Sequence, residues 1–238
     1  MFPFAVPMLV IAAAHTVVIL TLAVIARRDL VSEGRAGEVV WVVVPFAVVA
    51  LFLVPVAVGG RGAVLSEIGP GMFWIVVLLF GMFVTLRRSS QVDDAEADAL
   101  ALVLVDPAVG FVGRSAASLV LVLAVEAVAA PVMVGLYAPD PPGTWAWLLP
   151  VGLLAGLGMA MTGTLAGGLV RGTRLGTTLA PLIAVALSFP LLAAAAAATS
   201  GLAGDGNILV PVALLALTDI VVAVAGVVTA RPLEESGA

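Results

Sequence analysis

Two carboxylates stand in otherwise apolar surroundings: Glu126 inside LVLAVEAVAA and Asp219 inside PVALLALTDIVVAVAG. If these stretches cross a membrane, an ionised carboxylate at their centre costs about 2.5–3.5 kcal/mol on insertion scales, so each must face protein or water. Two readings stand. The acids serve as a proton relay or as polar lining for a substrate path, or they hold helices together as protonated or hydrogen-bonded carboxyls. No basic residue lies in the apolar stretches to pair with them. His15 is the sole histidine and also lies in an apolar stretch. Without a second histidine, a cysteine or an acid nearby it builds no metal site. It is the type of residue that ligates a haem iron, but a histidine bonded to a neighbouring helix is the ordinary reading. Cysteine is absent, which removes disulfides, thiol catalysis and thiolate metal sites. Lysine is absent too, so the chain has no Walker A loop, whose lysine contacts the β- and γ-phosphates. No HExxH, Ser/His/Asp set or glycine-rich phosphate loop occurs, and no basic patch suits nucleic acid. The residues point away from an enzyme, and no directly bound cofactor or metal is expected.

The elements that must position these residues are membrane helices. The chain has 238 residues, 63% hydrophobic and 11% charged, too apolar for a soluble core surfaced with charge. Runs of about 20 apolar residues cross a ~30 Å hydrocarbon layer as helices, because the backbone must satisfy itself within each segment. Seven such segments can be drawn: Phe2–Ala26, Val39–Val58, Pro70–Leu86, Ser115–Ala138, Thr144–Val170, Thr177–Ala198 and Ile208–Ala230. Short connections make them one helical transmembrane domain over residues 1–238. Gly152, Gly156, Gly158, Gly163, Gly167 and Gly168 crowd the fifth segment, where small residues let backbones approach closely. Pro45, Pro131, Pro181 and Pro190 are expected to kink their helices. No internal repeat of the kind many secondary transporters carry is visible.

Arginine sets the orientation. Arg27, Arg28, Arg35, Arg87, Arg88, Arg114, Arg171, Arg174 and Arg231 fall on one side, and Arg61 alone falls opposite. Arginine-bearing short loops stay cytoplasmic, which places those nine and the C-terminus inside. Trp41, Trp74, Trp145 and Trp147 lie near segment ends, as interfacial aromatics do. The first segment has no basic residue before it and Arg27-Arg28 after it, the reverse of a secretory signal peptide. It reads as an extra helix, residues 1–26, with its N-terminus outside.

Two cytoplasmic stretches are more than connectors. Residues 27–38 (RRDLVSEGRAGE) mix Arg27, Arg28, Asp29 and Arg35 with apolar Leu30 and Val31, which suits a helix lying in the interface. Within residues 87–114, Ser90-Gln-Val-Asp93 has a capping pattern, and Asp93, Asp94, Glu96 and Asp98 bunch where a helix dipole favours acids. Leu100–Val105 then turns apolar, and Asp106-Pro107 is expected to stop that helix. The stretch is either a solvated loop between two spans or a docking element for a soluble partner.

Order and spacing carry a resemblance. Arg28-Asp-Leu30 ahead of the first core span, Ile68-Gly-Pro-Gly71 opening the next, and an acidic loop ending at Asp106-Pro107 are similar to the haem exporter protein B family, as are Gly156–Gly168 and Pro181–Pro190. The similarity covers about residues 27–230. It implies an all-α half-permease of the ABC-2 exporter class, with six core transmembrane helices. It also implies a family-motif turn at Gly69, Pro70 and Gly71, an interfacial elbow at residues 27–38, and an ATPase-docking region including Asp93, Asp94, Glu96, Asp98 and Asp106. Such a subunit of the bacterial inner membrane pairs with a second copy and binds a cytoplasmic ABC ATPase, which supplies the use of ATP. In that family, hydrolysis is tied to releasing a haem-loaded chaperone from a haem-handling membrane subunit during cytochrome c maturation. Haem is then handled by the complex rather than by this chain. The acidic loop departs from the family's Gly-(Ser/Thr)-Leu-Glu, reading Ala97-Asp-Ala-Leu-Ala101, and Arg114 stands where lysine is frequent. An ABC-2 exporter for a lipid or drug, and a proton-coupled secondary transporter using Glu126 and Asp219, are the alternatives.

Overall fold

A computed structural model describes residues 39–90, 106–138, 148–170, 176–203 and 207–237. Among the described residues all regular structure is helical. One π turn, Val39–Val43, leads into α1 (Val44–Val58); α2 is Gly62–Ser90, α3 Pro107–Tyr137, α4 Leu148–Leu169, α5 Gly176–Ala203 and α6 Leu209–Gly237. Six helical stretches are long and apolar enough to cross a membrane: the π turn joined to α1 (Trp41–Val58), and one within each of α2 to α6. They correspond to the six later segments of the sequence. The first segment, with His15, lies outside the described residues, as do residues 27–38 and 91–105.

Local chemistry sets the helix ends. Gly59 and Gly60, at φ 70° and 67°, adopt the left-handed conformation that glycine tolerates without strain. Their N–H groups donate to the Val56 and Pro55 carbonyls and close the end of α1. At the start of α3, Asp106 is extended and its carboxylate accepts the Ala108 N–H at 3.0 Å, with Pro107 in the first turn. Asp106-Pro107 therefore begins a helix: an aspartate cap satisfies a free N–H, and proline has none to leave unsatisfied; the helix expected to stop there lies outside the described residues. The fourth segment accordingly starts eight residues before the Ser115 expected from the sequence. Asn207 caps α6 in the same manner, accepting from Leu209 N–H at 2.9 Å.

A further expectation is corrected. Gly69, Pro70 and Gly71 form no turn; they sit inside α2, which has already begun at Gly62. Pro70 withholds its own N–H, and the helix continues across it to Ser90. Pro45 lies where the π turn passes into α1. Pro55, Pro70, Pro131, Pro181 and Pro190 do lie inside helices.

Glycine decides the layering. Helix α4 runs through the middle and packs against α2, α3, α5 and α6, while α1 stands outside on α2 and α3. About three-fifths of the α4 span is buried (61%), against 17% for α1 and 22% for α6. With six glycines, α4 presents notches to its neighbours instead of ridges. The outer helices keep large apolar side chains pointing outward, among them Phe46 and Phe52 on α1, Phe189 on α5, and Val221 and Val228 on α6. In a bilayer such faces meet lipid tails at no cost.

Candidate functional site

The glycine notches of α4 receive the two acids. Glu126 of α3 lies across Gly152 and Gly156: a Cβ at those positions would stand 3.0 Å from Oε2 and 3.2 Å from Oε1 respectively. Asp219 of α6 approaches Gly158, where an added Cβ would run into Oδ1 and into the Leu191 side chain of α5. Gly156 and Gly158 are two residues apart, so the acids flank α4 on nearly opposite faces. Four residues separate Gly158 from the midpoint of Gly152 and Gly156, which offsets the acids by about 6 Å along the axis. Both are deeply buried, Glu126 at 7% and Asp219 at 5% exposure. Among the described residues, the buried side-chain atoms with no hydrogen-bond partner are Ser115 Oγ, Glu126 Oε1, and Asp219 Oδ1 and Oδ2. All four belong to α3 and α6. Buried polar atoms normally have partners, so this concentration marks the faces of α3 and α6 as the site. No cluster of three or more metal-ligating side chains occurs among the described residues.

A second set of contacts, not evident from sequence, pins one end of the bundle. Tyr137 closes α3 with no exposed surface and donates its hydroxyl to the Leu51 carbonyl of α1 at 2.9 Å. In a helix that carbonyl belongs to the N–H four residues on, and the residue there is Pro55, which has none. Tyr137 thus supplies the donor that proline withholds. Gly69 makes room for it, since a Cβ there would lie 2.9 Å from Tyr137 Cβ. The glycine of the Ile-Gly-Pro-Gly stretch is a seat for a tyrosine ring. Trp74, read as interfacial, is instead buried at 4% exposure and donates to Thr199 Oγ1 of α5 at 2.9 Å. Trp41 is exposed, and Trp145 and Trp147 lie outside the described residues. On the other half of α4, Thr85 of α2 fills the notch at Gly163. The clue to the clamp was the chain's single tyrosine at a span end.

Of the acids expected to dock a partner, Asp106 is the cap of α3; Asp93, Asp94, Glu96 and Asp98 lie outside the described residues. So do Arg27, Arg28, Asp29 and Arg35.

The sequence model for the CcmB protein matches residues 19–236. This chain belongs to the CcmB family. Among curated CcmB relatives, heme exporter protein B of Paracoccus denitrificans is 32% identical over 210 residues, covering 87% of this chain and 95% of that protein. Heme exporter protein B of Rhodobacter capsulatus is 31% identical over 193 residues, covering 79% and 87%. No solved structure matches this chain.

Proposed function

We propose that this CcmB-family chain is the membrane subunit of an ABC-type haem exporter acting in cytochrome c maturation. The observation that carries the reading is the family match across residues 19–236 together with a six-helix membrane bundle. The absence of lysine, and hence of a Walker A loop, supports ATP hydrolysis in a separate subunit. On this reading the chain is not itself an enzyme and binds no cofactor of its own. It sits in the inner membrane with the Arg87–Arg114 side and the C-terminus in the cytoplasm. Residues 87–114, with Asp93, Asp94, Glu96 and Asp98, dock the ATPase, and residues 27–38 form the elbow. The remaining partners are a second copy, a haem-handling membrane subunit and its haem chaperone.

The test is co-purification. A tagged chain should bring down an ABC ATPase, and charge reversal at Asp93, Asp94 and Glu96 should release it. Unchanged capture by the triple variant removes the docking assignment. Absence of any ATPase removes the ABC reading.

A second reading, a proton-driven carrier, draws on the unpartnered carboxyls of Glu126 and Asp219. It requires that Glu126→Gln with Asp219→Asn abolish transport; undiminished transport by that double variant excludes it.

A further inference from the structure

Glu126 is closed on one side and open on another. At Gly156 its Oε1 is sealed: a Cβ there would meet that oxygen, Leu119 and Leu123, at 3.2, 3.3 and 3.4 Å. At Gly152, one turn of α4 away, a Cβ would meet Oε2 at 3.0 Å and nothing else within 4 Å, and the glycine itself is only partly buried. The carboxyl thus has leucines toward the Arg114 end and a gap beside it that opens sideways, out of the bundle. Oε1 has no hydrogen-bond partner, and Glu126 is 7% exposed.

The surface around that gap is a shallow groove. On α3, Ala124, Ala127, Pro131 and Val134 recur every three or four residues and are exposed, a stripe of mostly small side chains beside Glu126. On α4, Leu149 and Leu153 share a face with Gly152 and are 79% and 50% exposed. Small side chains let another helix come close, and such packing is what associates helices in lipid.

Depth and chemistry select the occupant. Glu126 is twelve residues past Arg114 and eleven before Tyr137, about 17 Å of helix from either. At that depth lipid tails offer no hydrogen-bond donor, so the occupant must carry one at its middle. A second copy is poorly supplied, since the Thr218 and Thr229 hydroxyls of α6 already donate to carbonyls of their own helix. The chain's own first segment, Phe2–Ala26, lies outside the described residues and has such a donor. His15 is its only ionisable side chain and follows Ala12-Ala13-Ala14, a run as small as the stripe it would face. An imidazole keeps a ring N–H in either charge state, and a carboxyl accepts it. His15 stands twelve residues before Arg27, as Glu126 stands twelve after Arg114, so the two are level when the segment runs antiparallel to α3. Residues 27–38 join the segment to Val39 at the head of α1, and α1 packs on α3. Twelve residues reach up to about 40 Å, while one or two helix widths are about 10–20 Å.

We propose that residues 2–26 lie in the α3–α4 groove as a seventh helix antiparallel to α3, with a His15 ring N–H donated to Glu126 through the gap at Gly152. His15 precedes residue 19, where the family match begins, and the inference does not rest on haem export or on an ATPase.

Two experiments test it, both on the full chain in its membranes. The chain has no native cysteine, so Val18→Cys with Ala124→Cys, just inward of His15 and Glu126, makes a single pair. Copper phenanthroline should join it within one chain at least about tenfold faster than Val18→Cys with Leu217→Cys, on the outer face of α6. Mass spectrometry of the linked peptides identifies the bond. The second experiment uses dicyclohexylcarbodiimide, which is lipid-soluble; a carboxyl adds across its C=N bond and rearranges to a stable N-acylurea. His15→Ala should speed labelling of Glu126 at least about threefold and leave Asp219, at Gly158, unchanged. Equal rates for the two cysteine pairs, or a doubled mass that assigns the groove to a second copy, overturn the proposal. So does labelling of Glu126 that His15→Ala leaves unchanged or raises only in step with Asp219.

Discussion

Replacing Tyr137 by phenylalanine removes one oxygen and leaves the ring on its Gly69 seat. The loss falls on the Leu51 carbonyl, which sits in a residue of zero exposure and receives the hydroxyl at 2.9 Å. Hydrogen bonds between membrane helices average only about 0.6 kcal/mol, with a maximum near 1.7, because a deprived group usually finds another partner. Here the natural substitute, the N–H of residue 55, is missing. The cost should therefore fall near the top of that range, about 1.5 kcal/mol, or roughly a tenfold drop in the folded-to-unfolded ratio. Pro55→Ala restores an N–H four residues after Leu51. In that background Tyr137→Phe should cost about 0.5 kcal/mol, leaving a coupling of about 1 kcal/mol between positions 55 and 137. Unfolding of the purified protein in mixed micelles, followed by far-ultraviolet circular dichroism, measures all four corners of the cycle. Equal costs in both backgrounds, or a Tyr137→Phe protein as stable as the parent, would refute the clamp.

Gly163→Ala should destabilise by about 2 kcal/mol, since the new methyl would lie 2.6 Å from Thr85 Cβ, an atom that side-chain rotation cannot move away. Gly135→Ala, with nothing within 4 Å of the added carbon, is its neutral control in the same unfolding assay. Asp106→Ala should cost about 1 kcal/mol through loss of the α3 cap, with Asp106→Ser recovering most of it; equal stabilities would deny the cap. Trp74→Phe should loosen α2 from α5 by about 1 kcal/mol through the lost bond to Thr199, and hydrogen exchange along α5 reads the change.

The spans were legible because length and apolarity are all a lipid-crossing helix demands. Their ends were less so. Gly69-Pro70-Gly71 was read as a turn, yet it stands inside α2, and the fourth span begins at Pro107, eight residues before Ser115. Glu126 and Asp219 stood out as acids in apolar runs, and the crowding of glycine in one span announced a close-packed helix. What no pattern revealed was the pairing of each acid with a particular notch, since that depends on which helices become neighbours. The clamp was hidden for the same reason: Tyr137 and Leu51 are 86 residues apart, and a missing N–H at Pro55 matters only once a donor arrives. Trp74 shows the opposite failure, an aromatic near a segment end that the bundle covers.

Helices α2 and α3 are 29 and 31 residues long, about 43 and 46 Å, against a hydrocarbon layer of ~30 Å. An average tilt of about 20° shortens α3 only to about 43 Å. The eight residues Pro107–Arg114 thus reach roughly 12 Å past Ser115, a rigid crank continuous with the segment that bears Glu126. A sideways load on Pro107–Arg114 would therefore act through one continuous helix on the Glu126 segment at the glycine face of α4, with the Tyr137 bond at the far end.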